Sequence, residues 1–197
     1  MTDPPLWDGK KVCVMDTDHL WGHGGTAPWA WKSFLRGYHT LLMDVWEPIP
    51  GSPCPDVNWG PRPGYPRRNL NRRDDPTWEP VRRALGSTRS YALRMDLAAM
   101  VPSDTIASSG YCLENPQREY LIYLPDGDLV TVDLQPNIGP LVVEWMDPVE
   151  GTIIPGGTVD AGVKRTFAVP FVGPAVLYLR NQLPRWMWKF TNRSISQ

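Results

Sequence analysis

The sequence predicts a parallel α/β portion followed by an antiparallel β-sandwich. Three observations predict it. Near the start stand two short, largely apolar runs, each ending in an acidic residue; a helix-like stretch lies between them; and past Pro102 the texture changes to short β-prone runs at roughly ten-residue spacing, bounded by Pro or Gly.

The first run, Val12-Cys13-Val14-Met15, has no polar alternation and reads as a strand buried on both faces, ending in Asp16-Thr17-Asp18-His19. A glycine-rich stretch, Gly22-His23-Gly24-Gly25, follows. Pro28 then opens a helix through Trp29, Trp31, Phe34 and Leu35 that Gly37 closes. Thr40-Leu41-Leu42-Met43 is the second strand, ending in Asp44, so the order is strand, crossover helix, strand. Residues 47–76 are crowded with Pro, Gly, Asn and Arg and read as a long irregular segment. Asp75 or Thr77 can cap a second helix, whose apolar residues Trp78, Val81, Leu85, Ala92, Met95 and Ala99 fall near a 3-4 spacing. Gly86 weakens its middle by about 1 kcal/mol relative to alanine, which predicts a bend there.

Strands are expected at 111–113, 119–124, 129–134, 141–146, 152–154, 165–169 and 175–179, with a hairpin turn at Asp126-Gly127. Strand alternation puts Glu119, Leu121 and Tyr123 on one face and Tyr120, Ile122 and Leu124 on the other. The α/β portion is thus assigned to residues 1–102, the sandwich to 103–182, and a tail to 183–197, where Trp186 and Trp188 sit among polar and basic residues without a recognisable element.

Composition excludes several functions. The 197 residues hold 20 Lys and Arg against 21 Asp and Glu, a formal charge of -1, which gives no field to attract nucleic acid or an anionic membrane. Arg67, Arg68, Arg72 and Arg73 form the one basic cluster, but Asp74 and Asp75 follow it, so local ion pairing explains it better than a polyanion. The longest apolar runs fall far below the roughly 18 residues that span a bilayer, and no charged segment leads into an apolar one at the start, so no export signal is expected in this chain and its location stays open. Cys13, Cys54 and Cys112 are odd in number and scattered, which suits reduced structural thiols. The 10 Trp and 22 Pro point to loops and aromatic surfaces.

The string Asp16-Thr17-Asp18-His19-Leu20-Trp21-Gly22, with Trp31-Lys32-Ser33-Phe34-Leu35-Arg36-Gly37 and Leu42-Met43-Asp44, resembles the last strands of the apiosidase-like glycoside hydrolase barrels. Gly110-Tyr111-Cys112-Leu113-Glu114-Asn115-Pro116, with Glu119-Tyr120-Leu121-Ile122-Tyr123-Leu124-Pro125, resembles the β-sandwich known as the collagen-binding domain of a collagenase. The resemblance implies that the α/β portion is a barrel remnant, the last strands and helices of a (β/α)8 barrel, with six strands missing. A whole barrel takes about 250 residues, so a fragment, inactive by itself, is expected. The collagen label rests on the resemblance alone, since nothing in these residues has a physical reason to recognise a Gly-X-Y triple helix.

Glycoside hydrolysis needs two carboxyl groups flanking the scissile bond, and barrel enzymes carry them at strand ends. Asp16, Asp18 and Asp44 are therefore the candidate catalytic carboxylates. The resemblance favours Asp16 or Asp18, with its partner on an absent strand; the plain alternative is turn capping. His19 and His23 are candidates for orienting a carboxylate or a sugar hydroxyl, and Trp21, Trp31 and Trp46 for stacking on sugar rings, against ordinary packing. The glycines around His23 argue against a helix that would join the two imidazoles on a metal, so no metal and no cofactor is expected. Two functions follow: part of an enzyme acting on a glycan, or a non-catalytic sandwich that binds a polysaccharide or a collagen-like ligand.

Overall fold

The computed structural model describes residues 3–16, 25–42, 79–135 and 139–182. Strand β1 (Val14–Asp16) and strand β2 (His39–Leu41) lie parallel, Val14 opposite His39 and Asp16 opposite Leu41. Helix α1 (Ala27–Leu35) connects to β2. Its start follows from local chemistry: the Thr26 hydroxyl accepts the Trp29 N–H at 3.2 Å, and Pro28 in the first turn has no N–H to leave unpaired. It ends at Arg36-Gly37, where Gly37 takes a φ of 89° that suits only glycine. Helix α2 (Glu79–Arg94) runs unbroken through Gly86, and a short 3-10 turn (Leu97–Ala99) leads into the strands.

The strands are β3 (Val101–Ser103), β4 (Cys112–Asn115), β5 (Glu119–Leu124), β6 (Leu129–Asp133), β7 (Pro140–Met146), β8 (Ile153–Asp160), β9 (Lys164–Ala168) and β10 (Ala175–Asn181). Six of them make one antiparallel sheet in the order β3-β4-β5-β10-β7-β8, and β6 pairs with β9 in a separate antiparallel ribbon. The central strands β5 and β10 are apolar on both faces because both faces are covered. Tyr120, Ile122, Leu124, Leu177, Leu179, Val143 and Trp145 pack on Val130 and Val132 of β6 and Phe167 of β9. On the opposite face Leu121, Tyr123, Val176, Tyr178 and Leu113 pack on Trp31 and Leu35 of α1 and on Val81, Ala84 and Tyr91 of α2. Among the described residues the six-stranded sheet thus lies between the helices on one face and the β6-β9 ribbon on the other. Each large side chain closed in this way contributes roughly 1.5–3 kcal/mol of transfer free energy.

This architecture overturns the expected remnant of a (β/α)8 barrel. The described residues form mostly antiparallel sheets, with two α-helices and parallel pairing confined to three residues on each of two strands. Helix α2 instead buries Val81, Ala84 and Tyr91 in the core it shares with α1 and the antiparallel sheet, and it meets that sheet through Tyr91, whose ring lies 5.5 Å from that of Tyr178. A 3-4 apolar spacing demands that one helix face be buried, but it carries no information on whether a parallel or an antiparallel sheet buries it. The β-sheet content does fit the expectation.

Candidate functional site

Of the eight candidate site residues, Asp18, His19, Trp21, His23, Asp44 and Trp46 lie outside the described residues. Asp16 closes β1, half-buried and opposite Leu41 at the end of β2. Parallel pairing brings both strand ends to one side of the pair. What holds Asp16 there is the packing of α1 on β1: the fully buried Ser33 hydroxyl donates to Met15 Sδ at 3.4 Å, one residue before the carboxylate. Gly25, where the chain re-enters the described region, has the Trp29 ring so close that an added Cβ would lie 2.0 Å from it.

Trp31 has no exposed surface. Its ring stacks on Tyr123 at 5.9 Å between centroids and meets Tyr91 edge-on at 6.2 Å, which places it in the core between α1 and the sheet. Among the described residues no group of three or more His, Cys, Asp or Glu could hold a metal ion.

Two polar clusters beside this core were not singled out by the sequence. In the first, Glu119 at the start of β5 is 1% exposed, accepting the Asp96 N–H at 2.8 Å and the Tyr178 hydroxyl at 2.7 Å. Nearby, Arg94 of α2 forks onto both oxygens of Glu144 in β7 at 2.9 and 2.7 Å, and the Tyr91 hydroxyl joins them at 3.0 Å. The Arg94 guanidinium also lies 4.9 Å from the Tyr91 ring centroid and 5.2 Å from that of Tyr178. Burial, followed by the neighbouring Glu144, pushes the Tyr91 hydroxyl well above the usual range; burial and the Glu119 hydrogen bond do the same to Tyr178, and burial raises Tyr123 to about 12. The signal for this cluster was the alternation that put Glu119 on the same face as Leu121 and Tyr123, since a carboxylate in a buried register needs partners. In the second cluster, Asp3 accepts a hydrogen bond from Tyr111 and pairs with Lys32 at 3.5 Å, and the hydroxyl contact holds its carboxyl below the ordinary value.

No protein-family model matches the sequence, and no curated protein does. Solved structures do match. A chain described as a glycoside hydrolase superposes with a TM-score of 0.58 at 13% identity, covering 81% of this chain and 38% of that one. A glycoside hydrolase family 5 structure from Bacteroides vulgatus ATCC 8482 gives a TM-score of 0.58 at 15% identity, covering 84% of this chain and 40% of its own. The chain therefore spans about two fifths of the length of these structures, and what it shares with them is fold. Coverage of 81% and 84% exceeds what either residues 1–102 or 103–182 supply alone, so the likeness runs through the α/β portion and the antiparallel sheet together.

Proposed function

We propose that this chain is part of a glycoside-hydrolase-like protein that cleaves glycosidic bonds in its complete form, with the antiparallel sheet as an integral support rather than a free module. The observation that carries this reading is that the likeness to glycoside hydrolase structures extends across both portions, which also share one apolar core. Asp16, Asp18 and Asp44 are the proposed carboxylates, one to protonate the leaving oxygen or to serve as nucleophile or base, its partner lying in the part of the protein that this chain does not supply. His19, His23, Trp21 and Trp46 remain proposed sugar contacts. The same core weighs against a sandwich that binds polysaccharide or collagen by an aromatic strip. Tyr123 and Tyr178 lie under the helices, and Tyr120 and Trp145 under the ribbon, each at most 5% exposed.

The test is release of reducing sugar from a panel of glycans by the longest protein that the gene encodes, beside this chain alone. Activity in the long protein that Asp16→Asn, Asp18→Asn or Asp44→Asn lowers by at least about a hundredfold, with folding intact, supports the reading and selects the carboxylate. No hydrolysis of any glycan, alongside saturable glycan binding by this chain, would replace it with the binding module.

A further inference from the structure

Residues 3–11 lie across the carboxyl end of α1. The Trp7 N–H donates to the Arg36 carbonyl at 3.0 Å, its indole N–H donates to the Lys11 carbonyl at 2.5 Å, and the Trp7 side chain sits so close to Gly37 that a Cβ there would come within 2.9 Å of it. This segment carries Asp3 to Tyr111.

The surroundings of Asp3 divide into a fixed side and a loose one. Lys32 and Arg36 stand one turn apart on α1, and both place their cationic groups 4.9 Å from the centroid of the Tyr111 ring. Tyr111 is held in turn by an edge contact with Tyr123 at 6.4 Å and by the Tyr123 N–H, which donates to its carbonyl at 3.0 Å. The Asp3 carboxylate, by contrast, has a side chain that is 54% exposed. Two like charges one helical turn apart repel each other, and a buried phenol needs a hydrogen-bond partner, so the fixed side calls for an anion whether or not Asp3 supplies it. Arg36 reaches Asp104 at 3.8 Å, yet its enclosed Nε has no hydrogen-bond partner among the described residues, which leaves a donor unspent on the same guanidinium.

We propose that Tyr111, Lys32 and Arg36 form a binding site for a carboxylate ligand, which the Asp3 carboxylate occupies in cis. The Tyr111 hydroxyl and the Lys32 ammonium receive the carboxylate, and the half-exposed position of Asp3 marks the side from which a ligand enters. The chemistry is shared by small carboxylic acids and by acidic sugars, and the site stands or falls independently of the glycosidase reading. A tethered carboxylate competes at a high effective concentration, so removing it exposes the site to free ligand.

Asp3→Asn in the full chain, titrated with glucuronate, acetate and glucose at matched ionic strength, tests the proposal by calorimetry or by chemical-shift changes. The expected result is saturable binding of glucuronate at least about tenfold tighter than to the parent protein, no binding of glucose, and loss of the glucuronate signal when Lys32→Met is added. Acetate binding as tightly as glucuronate assigns the site to carboxylates in general; weaker acetate binding assigns it to acidic sugars. Absence of saturable carboxylate binding by a folded Asp3→Asn protein, or equal binding of glucose, overturns the proposal. Should that variant fail to fold, the parent protein decides. Glucuronate that displaces Asp3 must hasten proteolytic cleavage within residues 3–11, and an unchanged cleavage rate refutes the site.

Discussion

Replacing Glu119 by alanine removes the acceptor on which the end of α2 and the centre of the sheet meet. Its two oxygens take the Tyr178 hydroxyl at 2.7 Å and the Asp96 N–H at 2.8 Å. Tyr178 is 2% exposed, so its hydroxyl would be left dry, at a cost of about 1–3 kcal/mol; Asp96 lies at the surface, where water can replace the lost acceptor cheaply. Adding the lost packing of the side chain, Glu119→Ala should destabilise by roughly 2–4 kcal/mol. Glu119→Gln keeps the shape and one acceptor oxygen and should cost about 1 kcal/mol, the charge assistance of the hydrogen bonds. A double-mutant cycle of Glu119→Gln with Tyr178→Phe should give a coupling of about 1 kcal/mol. The assay is urea unfolding followed by far-ultraviolet circular dichroism and by tryptophan fluorescence, which should share one midpoint because Trp31, α2 and the sheet lie in one core. A loss below about 0.5 kcal/mol in Glu119→Ala would refute the claim that this carboxylate is a buried junction.

Alkaline pH should weaken the fold. Tyr123 is raised to about 12 and Tyr91 and Tyr178 are raised as well, so each holds its proton more tightly folded than unfolded. Their contribution is whole below about pH 10, the unfolded value, and is lost as pH climbs towards the folded ones, by up to about 1.4 kcal/mol per unit for each tyrosine. A urea midpoint unchanged between pH 9 and pH 11.5 would contradict this, and Tyr123→Phe should make the decline shallower. Gly127→Ala should destabilise by roughly 2–4 kcal/mol in the same assay, since its φ is 74° and a Cβ would lie 2.2 Å from the Gly173 carbonyl oxygen. Gly86→Ala should stabilise by about 1 kcal/mol, because the position is helical and an added Cβ meets nothing within 4 Å; a lower melting temperature would show that the glycine serves some purpose in the fold.

Local features read well from the sequence where one force dominates. The run 119–124 became β5 with the same ends, and the alternation across it separates the two buried faces correctly. Pro28 and Gly37 bracket α1 because each restricts the backbone by itself. The sequence marks β8 only over 152–154, whereas the strand runs to Asp160, since Pro155, Gly156 and Gly157 argue for a break that an edge strand paired on one side only can tolerate. Gly86 does not interrupt α2, as burial of Val81, Ala84 and Tyr91 outweighs a propensity cost of about 1 kcal/mol. What periodicity left open was the partner of each apolar face, and there the barrel expectation failed. The site was legible only as residue types at strand ends. Asp16 is found at one, whereas Trp31, chosen as an aromatic for sugar stacking, serves the core, a distinction that composition cannot make.

The placement of the aromatic side chains settles how the antiparallel sheet relates to the helices. Trp31, Tyr91, Tyr111, Tyr123 and Tyr178 touch one another in a connected series along the helix-facing side of the sheet, and none is more than 7% exposed. Residues 103–182 cut away from the helices would bare Tyr111, Tyr123 and Tyr178 together with Leu121 and Val176, an apolar patch of the size that soluble surfaces avoid. They would also leave Glu144 without Arg94 and Tyr91 and Glu119 without the Asp96 N–H. A ligand platform on that face would require the helices to leave, at the sum of those costs. On the other face Tyr120 and Trp145 pack against β6 and β9, so among the described residues the tyrosines and tryptophan of β5, β7 and β10 serve the two cores rather than a stacking surface.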